Sequence, residues 1–446
     1  MAILKFGNTA VVPAFKNMQS TNIEAFIGEP DANGVLQAPD SDANIVLDGV
    51  TDLVERALYF KFYGATLNSI SAPDLVGSND STNGNTSMYG LCQNGTITSA
   101  SFPKLDYVRT NGMARAFQDS TLSSITLKAK SVDNSGLQYA FSGCTNLTGA
   151  MDFSKIESAG DNGLQYMLQN CTGITSLDLS SLSSVGTSGM SYMCTGCTNL
   201  KTVNLSSLFN VGSSGMYQAF YNCVNLESVD FSYLQTLNIQ SEMSNCFAVS
   251  SANSASANKL KVVRFPLLAY LRGSSVFNQC FRYRTGIEHI YFPALNSMSF
   301  GSNTNQFNSM LQNVDGCTVH FAYNLENVIG SWTSVTQGFG GTNTTVLFDL
   351  PLSEGVSATF RIFPTDPDNF ENEFDGLTMD GFTHSASEFK YVDSFEGKYY
   401  YLNLFVKQST ATPWSLATKA GYTASPASGT LNIAGGTTIN INLSAT

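Results

Sequence analysis

The sequence predicts an α/β repeat solenoid, built of short helices and parallel strands and followed by a small all-β sandwich. A motif that runs from glycine to cysteine recurs with cysteines 27, 26 and 26 residues apart, at Cys144, Cys171, Cys197 and Cys223. Each motif leads into a short alternating apolar stretch, and self-similarity at such a period is typical of solenoids. From about residue 350 the repeat gives way to longer alternating stretches separated by turn residues, which predicts the sandwich.

The repeat divides the chain into three predicted segments. Residues 1–47 show no repeat and are rich in turn residues, so we expect an extended arm or irregular cap that docks the protein to a larger particle. Residues 48–349 hold the solenoid, and its outer repeats are degenerate. Residues 350–446 form the β-sandwich. We expect the polar insertion 250–258 to be a loop on one face, because each coil of a solenoid touches only its neighbours.

The repeat beginning at Gly163 shows the two periodicities. Leu164, Met167 and Leu168 fall at helical spacing, which predicts one or two turns of helix. Further on, Leu177 alternates with polar residues, which predicts a strand with one face buried. In the sandwich, four alternating stretches predict strands at 358–363, 398–406, 429–433 and 437–443.

Composition excludes several classes of function. The net charge of -12 argues against nucleic acid, whose phosphates need a basic surface, and no basic run suggests an anionic membrane. No segment approaches the roughly 20 apolar residues of a membrane-spanning helix. The N-terminus lacks the features of a secretory signal. Only 13% of the residues are charged, so the polar surface is made mostly of hydroxyl and amide groups.

The cysteines are interpreted as core residues. They are nine in number, an odd count, and are spread through the repeats, which is unlike a disulfide framework. Cys194 and Cys197 form the one CxxC, and a zinc site would need a second pair or nearby histidines. Their repeat register instead predicts that both point into the core, where free cysteine acts as a small apolar residue. An occasional disulfide between coils stays open as an alternative.

No catalytic, cofactor-binding or metal-binding residue is assigned, and the chain is not expected to be an enzyme. The three histidines, His289, His320 and His384, lie in no catalytic motif, and the first two are interpreted as strand-surface residues. No nucleophile elbow, phosphate-binding loop or dinucleotide-binding motif occurs. The acidic stretch 366–376 is interpreted as a solvated loop, and a calcium site is the alternative. The spacing does not fit an EF-hand, because Phe370 occupies a position that should carry a ligand oxygen.

The best match for the repeat is a known family. Ala140-Phe-Ser-Gly-Cys-Thr-Asn-Leu147 and Ala219-Phe-Tyr-Asn-Cys-Val-Asn-Leu226 follow the pattern of the BspA-like, or Treponema pallidum type, leucine-rich repeats. The resemblance recurs in phase over roughly residues 85–325. It implies surface adhesion or protein binding, without catalytic residues. The stretch from Gly397 to Leu443 resembles a PEGA-type or related Ig-like β-sandwich.

Low charge, Ser/Thr/Asn/Gly richness, an adhesion-type solenoid and no signal together resemble the tail-fibre or head-fibre proteins of phages. We therefore expect a virion fibre or decoration protein that contacts other virion proteins, a host receptor or a surface glycan through the polar strand face of the solenoid. That face includes Lys201, Lys261 and Glu288. The alternative is a bacterial surface adhesin or glycan-binding protein outside the cell. A homo-oligomer is possible for either class, and the sequence has no heptads that would indicate one.

Overall fold

The structure, a computed structural model, describes most of the solenoid and much of the C-terminal region. The described residues are 2–6, 9–14, 17–18, 44–48, 50–53, 57–77, 86–237, 239–271, 273–295, 297–298, 306–322, 338–350, 356–366, 370–379, 382–384, 389–394, 397–406, 412–431 and 437–445.

In the first part of the chain, the described residues include 24 strands and a short 3-10 helix at Ser251–Ser256. The strands are β1 Ala2–Phe6, β2 Thr9–Ala14, β3 Asn17–Met18, β4 Asn44–Asp48, β5 Asp52–Leu53, β6 Thr66–Ser71, β7 Thr96–Phe102, β8 Tyr107–Val108, β9 Ser124–Leu127, β10 Ser131–Val132, β11 Gly149–Asp152, β12 Ser158–Ala159, β13 Ile174–Asp178, β14 Ser184–Val185, β15 Thr202–Asn204, β16 Asn210–Val211, β17 Ser228–Asp230, β18 Thr236–Leu237, β19 Val262–Arg264, β20 Tyr270–Leu271, β21 His289–Phe292, β22 Ser297–Met298, β23 Thr318–Ala322 and β24 Thr345–Leu350.

These strands build a parallel solenoid of about ten coils, as the repeat predicts. One side of the coils, the long-strand face, consists of three successive sheets that contain β4-β6-β7-β9, β11-β13-β15-β17 and β19-β21-β23-β24. A second side, the short-strand face, consists of two sheets of two-residue strands, β8-β10-β12-β14-β16 and β18-β20-β22. Parallel pairing keeps equivalent residues in line, so that Ser176, Thr202 and Ser228 form one row across three strands.

The third side of each coil, the turn ribbon, is where helices were predicted, and that prediction is wrong. Within the coil, Gln138 N–H donates to the Ser135 carbonyl at 3.2 Å, whereas Tyr139 N–H donates across to Gln165 of the next coil at 2.9 Å. Bonds inside a coil and between coils alternate in this way along the ribbon. Every fourth residue has a left-handed backbone, with φ of 55° at Ser135, 57° at Tyr139 and 75° at Gly143. A four-residue turn period places apolar residues almost as a helix does, which explains the wrong prediction.

One continuous core fills the solenoid from Ile45 to Phe339. At the N-terminal end, β1 pairs antiparallel with β2 and β4, so a hairpin extends the long-strand sheet at its edge. The limits of the arm at residue 47 and of the solenoid at residue 349 stay predictions; the last strand joined to the solenoid sheet, β24, ends at Leu350. The insertion 250–258 is exposed over much of its length and forms the 3-10 helix.

The described part of the C-terminal region includes nine further strands and a short helix, α1, at Phe370–Glu373. The strands are β25 Val356–Phe363, β26 Phe374–Met379, β27 Phe382–His384, β28 Lys390–Ser394, β29 Gly397–Val406, β30 Thr412–Thr418, β31 Tyr422–Ser425, β32 Ser428–Leu431 and β33 Thr437–Ala445. They form two sheets, ordered β28-β29-β25-β33-β31 and β27-β26-β30-β32. Phe360 and Ile441 of the first sheet share a separate core with Leu377 and Trp414 of the second. All four strands predicted from alternation are present, in β25, β29, β32 and β33.

Candidate functional site

Outward residues of the long-strand face form rows whose chemistry changes along the solenoid. In the first coils, one row is Ser71, Ser101 and Thr126. In the middle coils, the outermost row is acidic, with Asp152, Asp178, Asn204 and Asp230 in register. Beside it lies a hydroxyl row that includes Ser176, Thr202 and Ser228. The middle coils thus present a polar strip of the kind expected for a binding face.

The acidic row also has a local structural role. Asp152, Asp178, Asn204 and Asp230 each accept the backbone N–H two residues further on, at 3.0, 2.9, 3.1 and 2.9 Å. This is an Asx turn, which ends the strand and directs the chain toward the short-strand face. Hydrogen bonds from the Lys128 ammonium, and then from Ser154, lower the pKa of the Asp152 carboxyl to about 2. Asp152 therefore carries a negative charge at neutral pH.

In the last coils the same outward row becomes aromatic and cationic. Arg264 lies over the Tyr291 ring at 4.1 Å, and Tyr291 stacks on the His320 ring at 4.2 Å. His289 Nδ1 and His320 Nε2 are 3.0 Å apart. The interpretation of His320 as a strand-surface residue is wrong, because its side chain is fully buried although its strand position points away from the core. His289 is half-buried, and His384 ends β27.

The short-strand face changes from charged to aromatic along the solenoid. Its early coils carry Asp106, Lys130 and Glu157 at one repeat position, and the Lys130 ammonium lies 3.1 Å from the Asp106 carboxylate. Two coils after Glu157, the same position holds Phe209. Among the described residues, the large apolar side chains classed as exposed all belong to these later coils: Phe209 at 43%, Tyr233 at 52%, Ile239 at 47% and Tyr270 at 38%. The Phe209 and Tyr233 rings are 6.2 Å apart and tilted by 47°.

The turn ribbon carries a tyrosine ladder that sequence reasoning missed. Tyr139 stacks on Tyr166 at 4.4 Å, Tyr166 on Tyr192 at 4.6 Å, and Tyr217 meets Tyr192 edge-on at 5.3 Å. Arg115 covers the open face of Tyr139 at 4.4 Å. Burial raises the pKa of the Tyr166 hydroxyl. Since the ring faces are occupied by one another, the ladder is a structural element of the ribbon and offers no stacking surface. The recurrence of tyrosine three residues after Gly136, Gly163 and Gly189 was the available signal.

The cysteines lie in the core, as predicted. All nine are free thiols and buried. In the regular coils the thiol donates to a carbonyl of the preceding coil: Cys144 to Phe117 at 2.9 Å, and Cys171 to Phe141 at 3.0 Å. Burial raises the pKa of the Cys144 thiol to about 11, which keeps it protonated and unreactive at neutral pH.

Arg284 occupies the same repeat position as these cysteines and is fully buried. Its Nε donates to the Phe247 carbonyl at 2.6 Å and its Nη2 to the Cys223 carbonyl at 3.0 Å. The intervening coil has Ser250 at this position, where the chain turns out into the insertion. One guanidinium thus serves two coils. Burial lowers the pKa of Arg284 to about 10, so the side chain stays charged at neutral pH.

The interpretation of 366–376 as a solvated loop is wrong for residues 370–376, which form α1 and the start of β26 and include the buried side chains of Phe370, Glu373 and Phe374. Glu373 is buried in α1 and accepts the Thr365 N–H at 2.8 Å, the Thr365 hydroxyl at 2.5 Å and the Asp366 N–H at 2.6 Å. Both oxygens therefore hold the preceding loop in place. Across the described part of the chain, no group of three or more His, Cys, Asp or Glu side chains is arranged to hold a metal ion. The calcium alternative gains no support from these contacts.

No helix within the described ranges is long and apolar enough to cross a membrane. The coils, the parallel register of their strands and the row of buried cysteines together define a leucine-rich-repeat-like solenoid. The family model for the BspA type leucine rich repeat region matches residues 59–188, 110–253 and 165–312, with six copies. These matches span more than half of the 446 residues, and the chain therefore belongs to the BspA-type leucine-rich repeat family.

Other comparisons add little. The crystal structure of a leucine-rich repeat protein from Bacteroides ovatus is similar over 78% of this chain and 98% of that chain, with 14% identity and a TM-score of 0.22. Such low agreement carries no argument about function. No curated protein matches the chain.

Proposed function

We propose that the protein is a non-enzymatic binding protein of the surface or adhesion type, which uses the middle of the long-strand face to hold its partner. The observation that carries this proposal is the alignment of the hydroxyl row over β13, β15 and β17 beside the acidic row, which extends from β11 to β17. Parallel strands repeat these rows about every 4.8 Å, which gives a flat and regular polar strip. Such a strip suits a protein surface or a polar glycan that forms many hydrogen bonds.

In its more specific form, the proposal is that the protein is part of a phage virion, as a fibre or decoration protein on the particle surface. The acidic net charge and the hydroxyl- and amide-rich composition support an exposed and soluble particle surface. Residues 1–47 would dock the protein to the virion, and the C-terminal β domain would be a PEGA-type or Ig-like module. The other form of the proposal is a bacterial surface adhesin, for which the same polar strip is the supporting observation.

The binding face is tested by placing lysines on the hydroxyl row. Ser176→Lys, Thr202→Lys and Ser228→Lys in one chain should abolish binding to the host cell or parent particle, because three bulky cations interrupt the strip. The matched control carries Ser131→Lys, Ser158→Lys and Ser184→Lys, in register on the short-strand face. Equal binding by both triple variants would overturn the role of the long-strand face.

The particle is tested by location. Antibody labelling of purified virions, together with co-sedimentation of the full-length protein, should place it on the particle if it is a fibre or decoration. Deletion of residues 1–47 should then release it. Labelling confined to the outer surface of a bacterium would favour the adhesin instead.

A further inference from the structure

The exposed rings of the short-strand face form a cluster that the core does not require. Phe209, Tyr233 and Tyr270 come from three consecutive coils, and each stands at a different repeat position. At the position of Tyr233, the two preceding coils have Ser181 and Ser207, which shows that the fold needs no ring there. Single exposed apolar residues are ordinary, but a cluster of rings marks an interaction site.

Charge disappears at the same place. In these three coils, the nine aligned positions that surround the short strands carry no ionisable group apart from tyrosine hydroxyls: Ser207, Phe209, Asn210, Tyr233, Gln235, Thr236, Leu267, Ala269 and Tyr270. Earlier coils of the same face carry Asp106, Lys130, Lys155 and Glu157. These nine positions supply no ionic attraction of their own, and the nearest cation in the sequence is Arg272, two residues after Tyr270. The strip is complementary to an uncharged ligand.

We propose that Phe209 and Tyr233, with Tyr270 on the next coil, form a binding site for a neutral oligosaccharide. The apolar C–H face of a pyranose ring packs on an exposed aromatic ring, and its hydroxyls need amide and hydroxyl partners at the ring's edge. The strip offers both, because Asn210 follows Phe209 in the chain, Gln235 follows Tyr233 by two residues, and Thr236 is paired with Tyr270. The paired strands β18 and β20 are about 4.8 Å apart, and β16 lies at the end of the adjoining sheet, so the rings spread over roughly 10 Å, which is the length of a short oligosaccharide segment.

A protein partner fits the same strip less well. Protein interfaces concentrate their binding energy in a contiguous, fully desolvated apolar centre. Here the Phe209 and Tyr233 rings are 6.2 Å apart and tilted, and the coils that carry the rings also carry Asn210, Gln235 and Thr236. Desolvating those amides against an apolar protein surface would leave them unpaired, whereas sugar hydroxyls would satisfy them.

This inference rests on the proposed binding role of the protein but places a second site on another face. The two can therefore fail separately. Lysines on the hydroxyl row of the long-strand face should leave oligosaccharide binding intact, and changes to the rings should leave the long-strand partner bound.

The experiment screens the full-length protein against an array of neutral hexose and pentose oligosaccharides, with uronic-acid oligosaccharides as the charged comparison. Calorimetric titration of the best neutral hexasaccharide follows. We expect Tyr233→Ala to raise Kd at least tenfold and the Phe209→Ala, Tyr233→Ala pair to abolish binding. Tyr233→Phe keeps the ring and should bind within about twofold of the parent. Lys155→Ala, at the repeat position of Tyr233 in an earlier charged coil, should leave Kd unchanged.

Several outcomes would overturn the proposal. They are the absence of binding to every neutral oligosaccharide, binding only to the uronic-acid set, or equal loss of binding in Lys155→Ala. A partner protein that loses affinity in the ring variants, while no sugar binds, would make the strip a protein-binding site. Circular dichroism and the midpoint of thermal unfolding verify that each variant is folded.

Discussion

Two regions of the solenoid have the same coil geometry but fill the core with different side chains. In the thiol coils, residues 136–223, the inner ladder is made of cysteines whose thiols donate to carbonyls of the preceding coil. In the aromatic coils, residues 243–321, stacked phenylalanines fill the core: Phe265 and Phe292 are 5.1 Å apart, and Phe277 and Phe307 5.6 Å. There the ladder position is held by Ser250 in one coil and by Arg284 in the next.

This difference shows what the ladder position requires. A buried carbonyl without a donor costs about 1–3 kcal/mol, so the position selects a hydrogen-bond donor of suitable reach. A thiol reaches one carbonyl across neighbouring coils. Where the insertion 250–258 displaces one coil's ladder residue, the longer guanidinium reaches the carbonyls of both Phe247 and Cys223.

The largest expected effect is alkaline unfolding that begins in the thiol coils. Burial raises the pKa of these thiols above the ordinary value of 9.0, to about 11 for Cys144 and well above 9.0 for Cys171. The unfolded chain therefore ionises first. Stability is fully present below about pH 9 and is lost as the pH rises toward the folded-state values, by about 1.4 kcal/mol per thiol per pH unit. The thiol coils contain five cysteines and the aromatic coils three.

Pulse alkylation read by mass spectrometry between pH 8 and 10 measures this for each cysteine, relative to the chain unfolded in urea. Protection of Cys144, Cys171 and Cys197 should fall before that of Cys280 and Cys317. If all of them lost protection together, the coils would unfold as one unit. If none did, the link between thiol burial and stability would be wrong.

The sequence predicted the thiol coils better than the aromatic coils, and the reason is their regularity. Phase-locked cysteines and alternating leucines revealed the coil, the parallel strands and the burial of the thiols. The turn ribbon was mistaken for helix because a left-handed residue at every fourth position, such as Tyr166, leaves the apolar spacing nearly helical. The burial of Arg284 could not be read from the sequence, since it depends on a carbonyl 61 residues away.

The candidate binding sites also differ in how well the sequence predicted them. The polar rows of the long-strand face follow from strand alternation and were predicted. The exposed rings of Phe209 and Tyr233 were not, because each departs from the repeat at a different position and only the stacking of the coils brings them together. The burial of His320, likewise, could not be inferred from an outward position in its strand.

The next largest effect is expected from Arg284→Met. Methionine fills much of the same volume but leaves the Phe247 and Cys223 carbonyls without their donor, and two such losses should lower the free energy of unfolding by about 3 kcal/mol. Removing the desolvation cost of a buried charge offsets part of this loss. Urea unfolding at pH 7 measures it. Arg282→Met, two residues away and half-buried, is the matched control and should change stability by under about 1 kcal/mol. Equal effects would show that the guanidinium does not bridge the coils.

A smaller effect on stability is expected when glycine replaces a residue of the tyrosine ladder. The comparison is with glycine at the equivalent position of the turn ribbon in the aromatic coils. Tyr166, with φ of 57°, is stacked on both sides, so Tyr166→Gly removes two ring contacts worth about 0.5–1.5 kcal/mol each while relieving backbone strain. We expect a net loss of about 1 kcal/mol. Gln279 has φ of 53° at the equivalent position of an aromatic coil, outside the ladder. Gln279→Gly should therefore be neutral or slightly stabilising.

Thermal unfolding of the two glycine variants measures this contrast, and Tyr166→Phe serves as the control that retains the ring. A destabilisation of the same size in both glycine variants would mean that ring stacking contributes nothing beyond the ordinary cost of glycine.

The smallest effect concerns the outward row of the long-strand face. At the start of the acidic row, Asp152 forms an exposed ion pair with Lys128, whereas in the last coils the row continues with Arg264, which lies over the Tyr291 ring. The Lys128 ammonium is the main cause of the lowered pKa of Asp152, with Ser154 second. Lys128→Met should move that pKa up from about 2 toward the ordinary 3.8, and Ser154 should keep it below that value. Because the folded pKa is depressed, the pair's contribution is present above about pH 4 and is lost as the pH falls through 2. At pH 7 it should be under about 1 kcal/mol, since the pair is exposed to solvent.

Titration of the Asp152 carboxyl by NMR measures the shift, with Lys155→Met as the control. An unchanged Asp152 pKa in Lys128→Met would show that the Ser154 Asx turn alone sets the charge of the row.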